Sequence, residues 1–210
     1  MRQWGLAEHS AAMGLNLSSS AVDRLGALLS LLAKWNRIYN LTGMPEEAKW
    51  VSHHLLDSLS VVRFLPPGPL LDVGSGGGFP GVPIAVAEPD RQIVLLDSNS
   101  KKTAFLRQVV AELELANVAV ETRRVEDFKP ARGFNVVVSR AFADLQTFIK
   151  LAGHLCCSEG RLLAMKGVYP AEELAGLPLA SIDKVVRLEV PLVDEQRHAV
   201  FLRPSLLTEH

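Results

Sequence analysis

The sequence is poor in the features that mark extracellular, metal-binding or membrane proteins. Its only two cysteines, Cys156 and Cys157, are adjacent in an apolar pattern typical of a helix, so they can build neither a disulfide framework nor a four-ligand zinc site. No apolar run reaches eighteen residues, and the first ten residues, MRQWGLAEHS, carry charge where a signal peptide has its apolar core. We therefore expect a cytoplasmic protein that is neither secreted nor inserted in a membrane.

The sequence also lacks an excess of charge of either sign. It has 22 basic and 23 acidic side chains, which give a formal net charge of -1. Proteins that coat nucleic acid by charge alone carry a strong positive excess. Any contact of this chain with RNA must therefore be local and must depend on shape.

Helical patterns occupy the first third of the 210 residues. Apolar residues recur at helical intervals from Ser18 to about Asn40, and Ser20 and Asp23 have the spacing of a capping box. A second helical segment, PEEAKWVSHHLLDSLSVVRFL, ends at the PPGP sequence of residues 66–69. We place an N-terminal helical part at residues 1–66 and a ligand-binding domain at residues 67–210.

After this break, short apolar runs alternate with longer helical patterns. Such alternation predicts a mostly parallel, doubly wound α/β sheet that is covered on both faces. The last two runs have only a short polar link between them and predict an antiparallel pair at the sheet edge. In chain order the runs are LLDVG, QIVLLD, VAVETRR, FNVVVSRA and RLLAMKG, followed by the pair KVVRLEVP and RHAVFLRP.

The stretch LLDVGSGGGFPG predicts a glycine-rich turn between a strand and a helix, where a ligand can approach the backbone closely. One interpretation is the Gly-x-Gly-x-x-Gly pattern of dinucleotide enzymes, present at Gly76, Gly78 and Gly81, although two prolines remove amide donors that a phosphate needs. The competing pattern is Asp-x-Gly-x-Gly-x-Gly, in which the acid repels phosphate but suits an ammonium group. Its residues are Asp72, Gly74, Gly76 and Gly78.

A second acid distinguishes these interpretations. Asp97 ends the next predicted strand, nineteen positions after Gly78, where a carboxylate can accept both hydroxyls of a ribose. A ligand with a ribose and an amino-acid ammonium but no pyrophosphate is S-adenosylmethionine. The alternative is a glycine turn that only permits tight packing, with Asp97 capping the following helix.

Several longer stretches resemble one family throughout, the ribosomal RNA small-subunit methyltransferase G family, also called glucose-inhibited division protein B. They include LAKWNRIYNLT, HLLDSL, LLDVGSGGGFPGVPIA, LLDSNSKKTAFLRQV, VVVSRAFADL and LLAMKG. The resemblance extends from about Leu25 to Arg203 and implies a Rossmann-like class I methyltransferase fold. It also implies methyl transfer from S-adenosylmethionine to N7 of a guanine in 16S ribosomal RNA, with S-adenosylhomocysteine as the product.

The same resemblance implies where the cofactor binds. The family's contacts fall on the glycine turn, on the residue after it, on the ribose acid and its neighbour, and on three later positions. These residues are Gly74, Phe79, Asp97, Ser98, Val125, Glu126 and Arg140.

Chemistry at guanine N7 needs no general base, because the nitrogen already presents a lone pair in the ring plane. We therefore expect positioning and desolvation to drive catalysis, with Arg140 and Glu126 as the catalytic candidates. Arg140 follows an apolar strand at the carboxyl edge of the sheet, and the alternative for it is a pair with Asp144. Lys166, Arg123 and Arg197 are the candidate RNA contacts.

Three further side chains, His53, His54 and Asp57, lie close together on one predicted helix. No ligand beyond these is evident to complete a metal site, so we expect hydrogen bonds at a helix interface instead. For the whole chain we expect a monomer that acts on the small ribosomal subunit. The alternatives are a methyltransferase for a small molecule or protein, and a cofactor-binding regulator without transfer activity.

Overall fold

The computed structural model describes residues 5–141 and 143–204, and a seven-stranded sheet runs through these residues. The strand order is β3-β2-β1-β4-β5-β7-β6. The first five strands are parallel, β7 is antiparallel to β5, and β6 is antiparallel to β7. The strands are β1 Leu70–Val73, β2 Ile93–Asp97, β3 Val118–Thr122, β4 Phe134–Arg140, β5 Cys156–Lys166, β6 Ile182–Leu188 and β7 Arg197–Leu202.

Both faces of the central strands are buried, as the continuous apolar runs predict. In β1, Leu70 packs into the core on one face, whereas Leu71 and Val73 pack into the core on the other. The N-terminal helices, α4 and α5 cover the first face, and α6 and α7 cover the second. The helices are α1 Leu6–Ala12, α2 Ser19–Tyr39, α3 Asp57–Leu59, α4 Gly81–Ala87, α5 Ser100–Glu112, α6 Leu145–Ala152 and α7 Ala171–Ala175.

The N-cap of α2 is a different residue from the one that the sequence predicts. Ser18 is the N-cap, because its Oγ accepts the Ala21 N–H at 3.1 Å. The predicted box of Ser20 and Asp23 is therefore wrong, since Ser20 already lies inside the first helical turn.

The second predicted helix is not continuous. It consists of a 3-10 turn at Glu47–Lys49, a π-helical stretch at Val51–Leu56, the short α3 and a 3-10 turn at Val62–Phe64. Most of the π-helical stretch and all of α3 are buried. Tertiary packing therefore sets the local winding here, and π-helical turns of this kind often occur at functional sites.

The N-terminal part and the sheet share one hydrophobic core. Leu25, Leu28 and Leu32 of α2 are fully buried in the same cluster as Phe105 of α5. The predicted boundary at residue 66 stays a prediction. The first residues of the N-terminal part, 1–4, and the last residues of the second part, 205–210, lie outside the described residues.

The C-terminal hairpin is confirmed as an antiparallel edge. Its second strand, β7, lies between β5 and β6. Because β7 runs opposite to β5, His198 near its start is in register with Lys166 at the end of β5. The sequence prediction of a helical pattern at the cysteines is wrong, since Cys156 begins β5. Among the described residues, none of the helices has the length and apolar content needed to cross a membrane.

Candidate functional site

Most backbone amides of the glycine turn after β1 already donate hydrogen bonds within the protein. Gly74 and Ser75 donate to the Leu96 carbonyl at 2.8 and 3.1 Å, and Gly76 donates to Asp97 Oδ2 at 3.0 Å. The Gly78 and Phe79 amides donate to the Ser75 carbonyl. A pyrophosphate needs free amides in such a turn. The geometry therefore disfavours the dinucleotide interpretation.

Two of the glycines serve backbone geometry and packing. Gly74 has φ of 71°, in the left-handed region that favours glycine. Gly78 has φ of 90°, and a Cβ there would lie 2.8 Å from Val82 Cγ2 of α4. Gly74 lines the cavities described below, whereas Gly78 is buried against α4.

Asp72 lies beneath the turn. Its side chain is fully buried, and Oδ2 accepts the Gly81 N–H at 2.9 Å at the start of α4. Oδ1 is buried without a hydrogen bond among the described residues, and burial raises the pKa of this carboxyl to about 7. Its geometry fits a residue that holds the turn, and its predicted contact with an ammonium group stays a prediction.

The first cavity, here the β1–β2 cavity, has a volume of about 390 Å³. It lies at the carboxyl edge of the sheet, where ligands bind in open α/β folds. It brings together seven residues that the sequence singled out. They are Gly74, Asp97, Ser98, Arg123, Val125, Glu126 and Arg140.

Asp97 and the residues after β3 form two walls of this cavity. Asp97 Oδ2 accepts from Gly76, and Oδ1 accepts the Asn99 N–H at 2.8 Å. A carboxylate offers about four acceptor sites, so it retains sites for ribose hydroxyls. Asn99, rather than Asp97, caps α5 by accepting the Lys101 N–H at 2.9 Å. Glu126 lies in the 3-10 turn Val125–Asp127.

The second cavity, here the β4–β5 cavity, has a volume of about 830 Å³. It shares Gly74, Lys102, Arg140 and Ala141 with the β1–β2 cavity, so the two adjoin at the ends of β1 and β4. Sequence reasoning did not anticipate that the N-terminal part forms one of its walls. That wall includes Leu41, Thr42, Gly43, Met44, Pro45, His53, His54 and Asp57.

Arg140 stands at the junction of the two cavities. Its Nη1 donates to the His53 carbonyl at 2.8 Å and to Asp57 Oδ2 at 3.1 Å, and its guanidinium carbon lies 5.4 Å from the Phe79 ring centroid. The predicted alternative, a pair with Asp144, is wrong. Asp144 instead caps α6 by accepting the Thr147 N–H at 2.8 Å.

His54 adds an uncharged ring to the β4–β5 cavity. The ring stacks on Phe79 with centroids 4.7 Å apart, and Nε2 lies 2.8 Å from Thr42 Oγ1. Burial, and then the charge of Arg140, lower the pKa of His54 to about 4, so it is neutral at pH 7. The expected helix-interface hydrogen bonds are present, and no metal-binding cluster occurs in the part of the chain that the structure describes.

The predicted RNA contacts have acidic partners. Lys166 Nζ donates to the Ala143 carbonyl at 3.0 Å and to both carboxylate oxygens of Glu173 at 3.0 and 2.8 Å. Arg197 Nε lies 3.3 Å from Asp57 Oδ1. The Lys166 ammonium group is therefore bonded within the protein, and its RNA contact stays a prediction.

Two other cations on these walls differ in their partners. Arg123 is 60% exposed, and its Nε lies 3.5 Å from Glu121 Oε2. Lys102 lines both cavities and forms no ion pair with any described residue. Its position in the first turn of α5, where a cation is disfavoured by the helix dipole, is the signal that could have singled it out.

Solved structures at low identity share this fold. Pyrococcus horikoshii TYW2 in complex with MeSAdo aligns with a TM-score of 0.57 and 10% identity over 79% of this chain and 65% of that one. A ribosomal protein L11 methylase from Lactobacillus delbrueckii aligns with a TM-score of 0.52 and 15% identity over 76% of this chain and 79% of that one. These likenesses confirm the class I methyltransferase fold.

Sequence comparisons are more specific. Two relatives named ribosomal RNA small subunit methyltransferase G match most of the chain. The one from Chromobacterium violaceum is 52% identical over 90% of this chain and 92% of its own length. The one from Neisseria meningitidis is 53% identical over 91% and 93%. The family profile described as rRNA small subunit methyltransferase G matches residues 22–200, and the chain belongs to this family.

Proposed function

We propose that the chain transfers a methyl group from S-adenosylmethionine to N7 of a guanine in 16S ribosomal RNA and releases S-adenosylhomocysteine. One observation supports this most directly. The β1–β2 cavity carries a strand-end acid at Asp97 and adjoins a larger cavity at Gly74 and Arg140. A cofactor site next to a second, larger site is the arrangement that transfer between two bound molecules requires.

The β1–β2 cavity fits S-adenosylmethionine by its chemistry. Its walls offer the carboxylates of Asp97 and Glu126, and most amides of the turn are already bonded within the protein. Such a site suits a ligand with ribose hydroxyls and a positive charge better than one with a pyrophosphate. We assign Asp97 to the ribose, with Ser98, Val125 and Glu126 beside the rest of the nucleoside.

The β4–β5 cavity positions the target guanine and excludes water from it. When bound, S-adenosylmethionine would supply an electrophilic methyl group, to which the N7 lone pair would donate its electrons as the methyl–sulfur bond breaks. No side chain has to remove a proton, so the neutral His54 is suited to packing against Phe79 rather than to base catalysis. Arg140 orients the ligands and forms an ion pair with Asp57. Glu126 lines the β1–β2 cavity but not the β4–β5 cavity, and it stays a catalytic candidate.

The RNA partner is proposed to be the small ribosomal subunit in the cytoplasm, bound by a monomer. The walls of the β4–β5 cavity include the cations Lys102, Lys166 and Arg197. Since two of these are paired with acids, recognition should depend on the shape of the RNA more than on charge.

The test is the methylation of small subunits. Subunits from cells with and without the protein are mapped by mass, and subunits lacking the modification are then incubated with labelled S-adenosylmethionine and purified protein. We expect one 7-methylguanine to be missing without the protein and to be restored by it. An unchanged modification pattern, with label transferred to a protein or small molecule, would favour the alternative methyltransferase. Cofactor binding without any transfer would favour a regulator.

A further inference from the structure

Asp57 is a buried carboxylate between two arginines. It lies in α3 of the N-terminal part and is 4% exposed. Its Oδ2 lies 3.1 Å from Arg140 Nη1 at the end of β4, and Oδ1 lies 3.3 Å from Arg197 Nε at the start of β7. Three distant parts of the sequence therefore meet at one carboxyl group on the wall of the β4–β5 cavity.

The two contacts differ in quality. The pair with Arg140 is a hydrogen bond, whereas Oδ1 has no hydrogen bond among the described residues, so its contact with Arg197 is an ion pair only. A buried carboxylate with an incompletely bonded oxygen is costly, and an ion pair of this kind is weak grounds for inferring stability. Its place on the cavity wall points to a different reason for it.

The charges of the neighbouring side chains give a reason for a carboxylate at this position. The two guanidiniums and the carboxylate together carry a net charge of +1, and His54 beside them is neutral. A guanine that accepts a methyl group at N7 becomes positively charged. Two uncompensated arginines beside the purine would oppose this change, and one carboxylate offsets half of their charge.

We infer that Asp57 is a positioning residue for methyl transfer, which holds Arg140 and Arg197 in place on the cavity wall and offsets part of their charge. The inference rests on the proposed function. It differs from a purely structural role, in which Asp57 would only attach the N-terminal part to the sheet. The two roles predict different kinetics, because an electrostatic role acts on the transfer step and a structural role acts on folding and binding together.

The experiment compares Asp57→Asn with Asp90→Asn, the same substitution at an exposed site before β2. Single-turnover methyl transfer to small subunits is measured beside thermal unfolding and calorimetric titration with S-adenosylhomocysteine. For Asp57→Asn we expect the transfer rate at saturating subunit to fall about 100-fold. The KM for subunits should stay unchanged or fall, because the cavity becomes more positive. Asp90→Asn should match the unmodified protein in all three measurements.

A second variant separates charge from structure. Asp57→Asn with Arg197→Gln restores the net charge of +1 and removes the arginine left without a partner. We expect it to transfer faster than Asp57→Asn alone. If Asp57→Asn does not fold, the double variant is compared directly with Arg197→Gln, whose transfer rate it should fall below. Failure of both Asp57 variants to fold would assign the residue a structural role and overturn the inference.

The outcomes also separate this inference from the proposed function. If the unmodified protein transfers no methyl group to subunits, the proposed function fails. If it transfers and Asp57→Asn transfers at the same rate, only the inference fails. A raised KM with an unchanged rate at saturation, accompanied by a lower melting temperature, would likewise overturn the positioning role.

Discussion

Asp97 offers the sharpest test of the cofactor site, because its carboxylate accepts two backbone hydrogen bonds and is also the proposed contact for the ribose. Its oxygens accept the Gly76 and Asn99 N–H groups at 3.0 and 2.8 Å, and it lines the β1–β2 cavity. Asp97→Asn keeps the shape but replaces one acceptor with an NH2 group. One backbone N–H then faces another donor, which should cost about 1 to 3 kcal/mol of the free energy of unfolding.

The effect on binding follows from the lost charge. A hydrogen bond to a charged acceptor contributes about 1.5 to 3 kcal/mol, which is about 10- to 150-fold in affinity. Asp97→Asn should therefore weaken S-adenosylhomocysteine by about that factor. Calorimetric titration measures the affinity, and thermal unfolding measures the separate cost to the fold.

A second ligand distinguishes a ribose contact from a general disturbance of the turn. An analogue of S-adenosylhomocysteine that lacks both ribose hydroxyls should bind the unmodified protein more weakly. Its affinity for Asp97→Asn should be little lower than its affinity for the unmodified protein, because the contact with the ribose hydroxyls is already absent. If the substitution weakens both ligands by the same factor, Asp97 supports the turn and does not contact the ribose.

Three further predictions concern other parts of the site. Because the pKa of His54 is lowered to about 4 from its ordinary 6.5, the unfolded chain takes up a proton first on acidification. As the pH falls from about 6.5 to about 4, the free energy of unfolding of the protein should decrease by on the order of 3 kcal/mol more than that of His54→Gln, as measured by urea unfolding. Gly81→Ala would place a Cβ 2.7 Å from a buried carboxylate oxygen and should destabilise by about 1 to 3 kcal/mol, whereas Gly26→Ala, with nothing within 4 Å, should stabilise by about 0.5 to 1 kcal/mol in thermal unfolding. Lys102→Ala should weaken subunit binding and lower the salt dependence of binding by a slope of about 1, whereas Lys166→Ala should mainly lower the melting temperature; the reverse pattern would favour Lys166 as the phosphate contact.

Local sequence patterns predicted the parallel sheet and the cofactor side of the site. A glycine turn and a strand-end acid are short-range signals, and the carboxyl ends of neighbouring parallel strands necessarily meet at one edge. Gly74, Asp97 and Arg140 could therefore be placed together from the sequence. The antiparallel edge followed in the same way from a link too short for a crossover.

The partners of the charged side chains could not be predicted in this way. Arg140 pairs with Asp57, 83 positions earlier, and not with Asp144 nearby. The pairing depends on how the buried π-helical stretch at Val51–Leu56 lies against the end of β4, and the sequence pattern there indicates only a helix. Adjacent Cys156 and Cys157 were misread for a related reason, because a short apolar run does not distinguish a helix from a buried strand.

The ion pairs on the walls of the β4–β5 cavity limit the contribution of charge to RNA recognition. A net charge of -1 says nothing about where the cations lie, yet Lys166, Arg197 and Arg140 all line the β4–β5 cavity. Each of them is paired with an acid, so their charges act over short distances and contribute little to long-range attraction of a phosphate backbone. Binding should then vary only weakly with salt and should require the folded RNA surface of the subunit. The N-terminal part is integral to this arrangement, because it supplies both Asp57 and the far wall of the cavity.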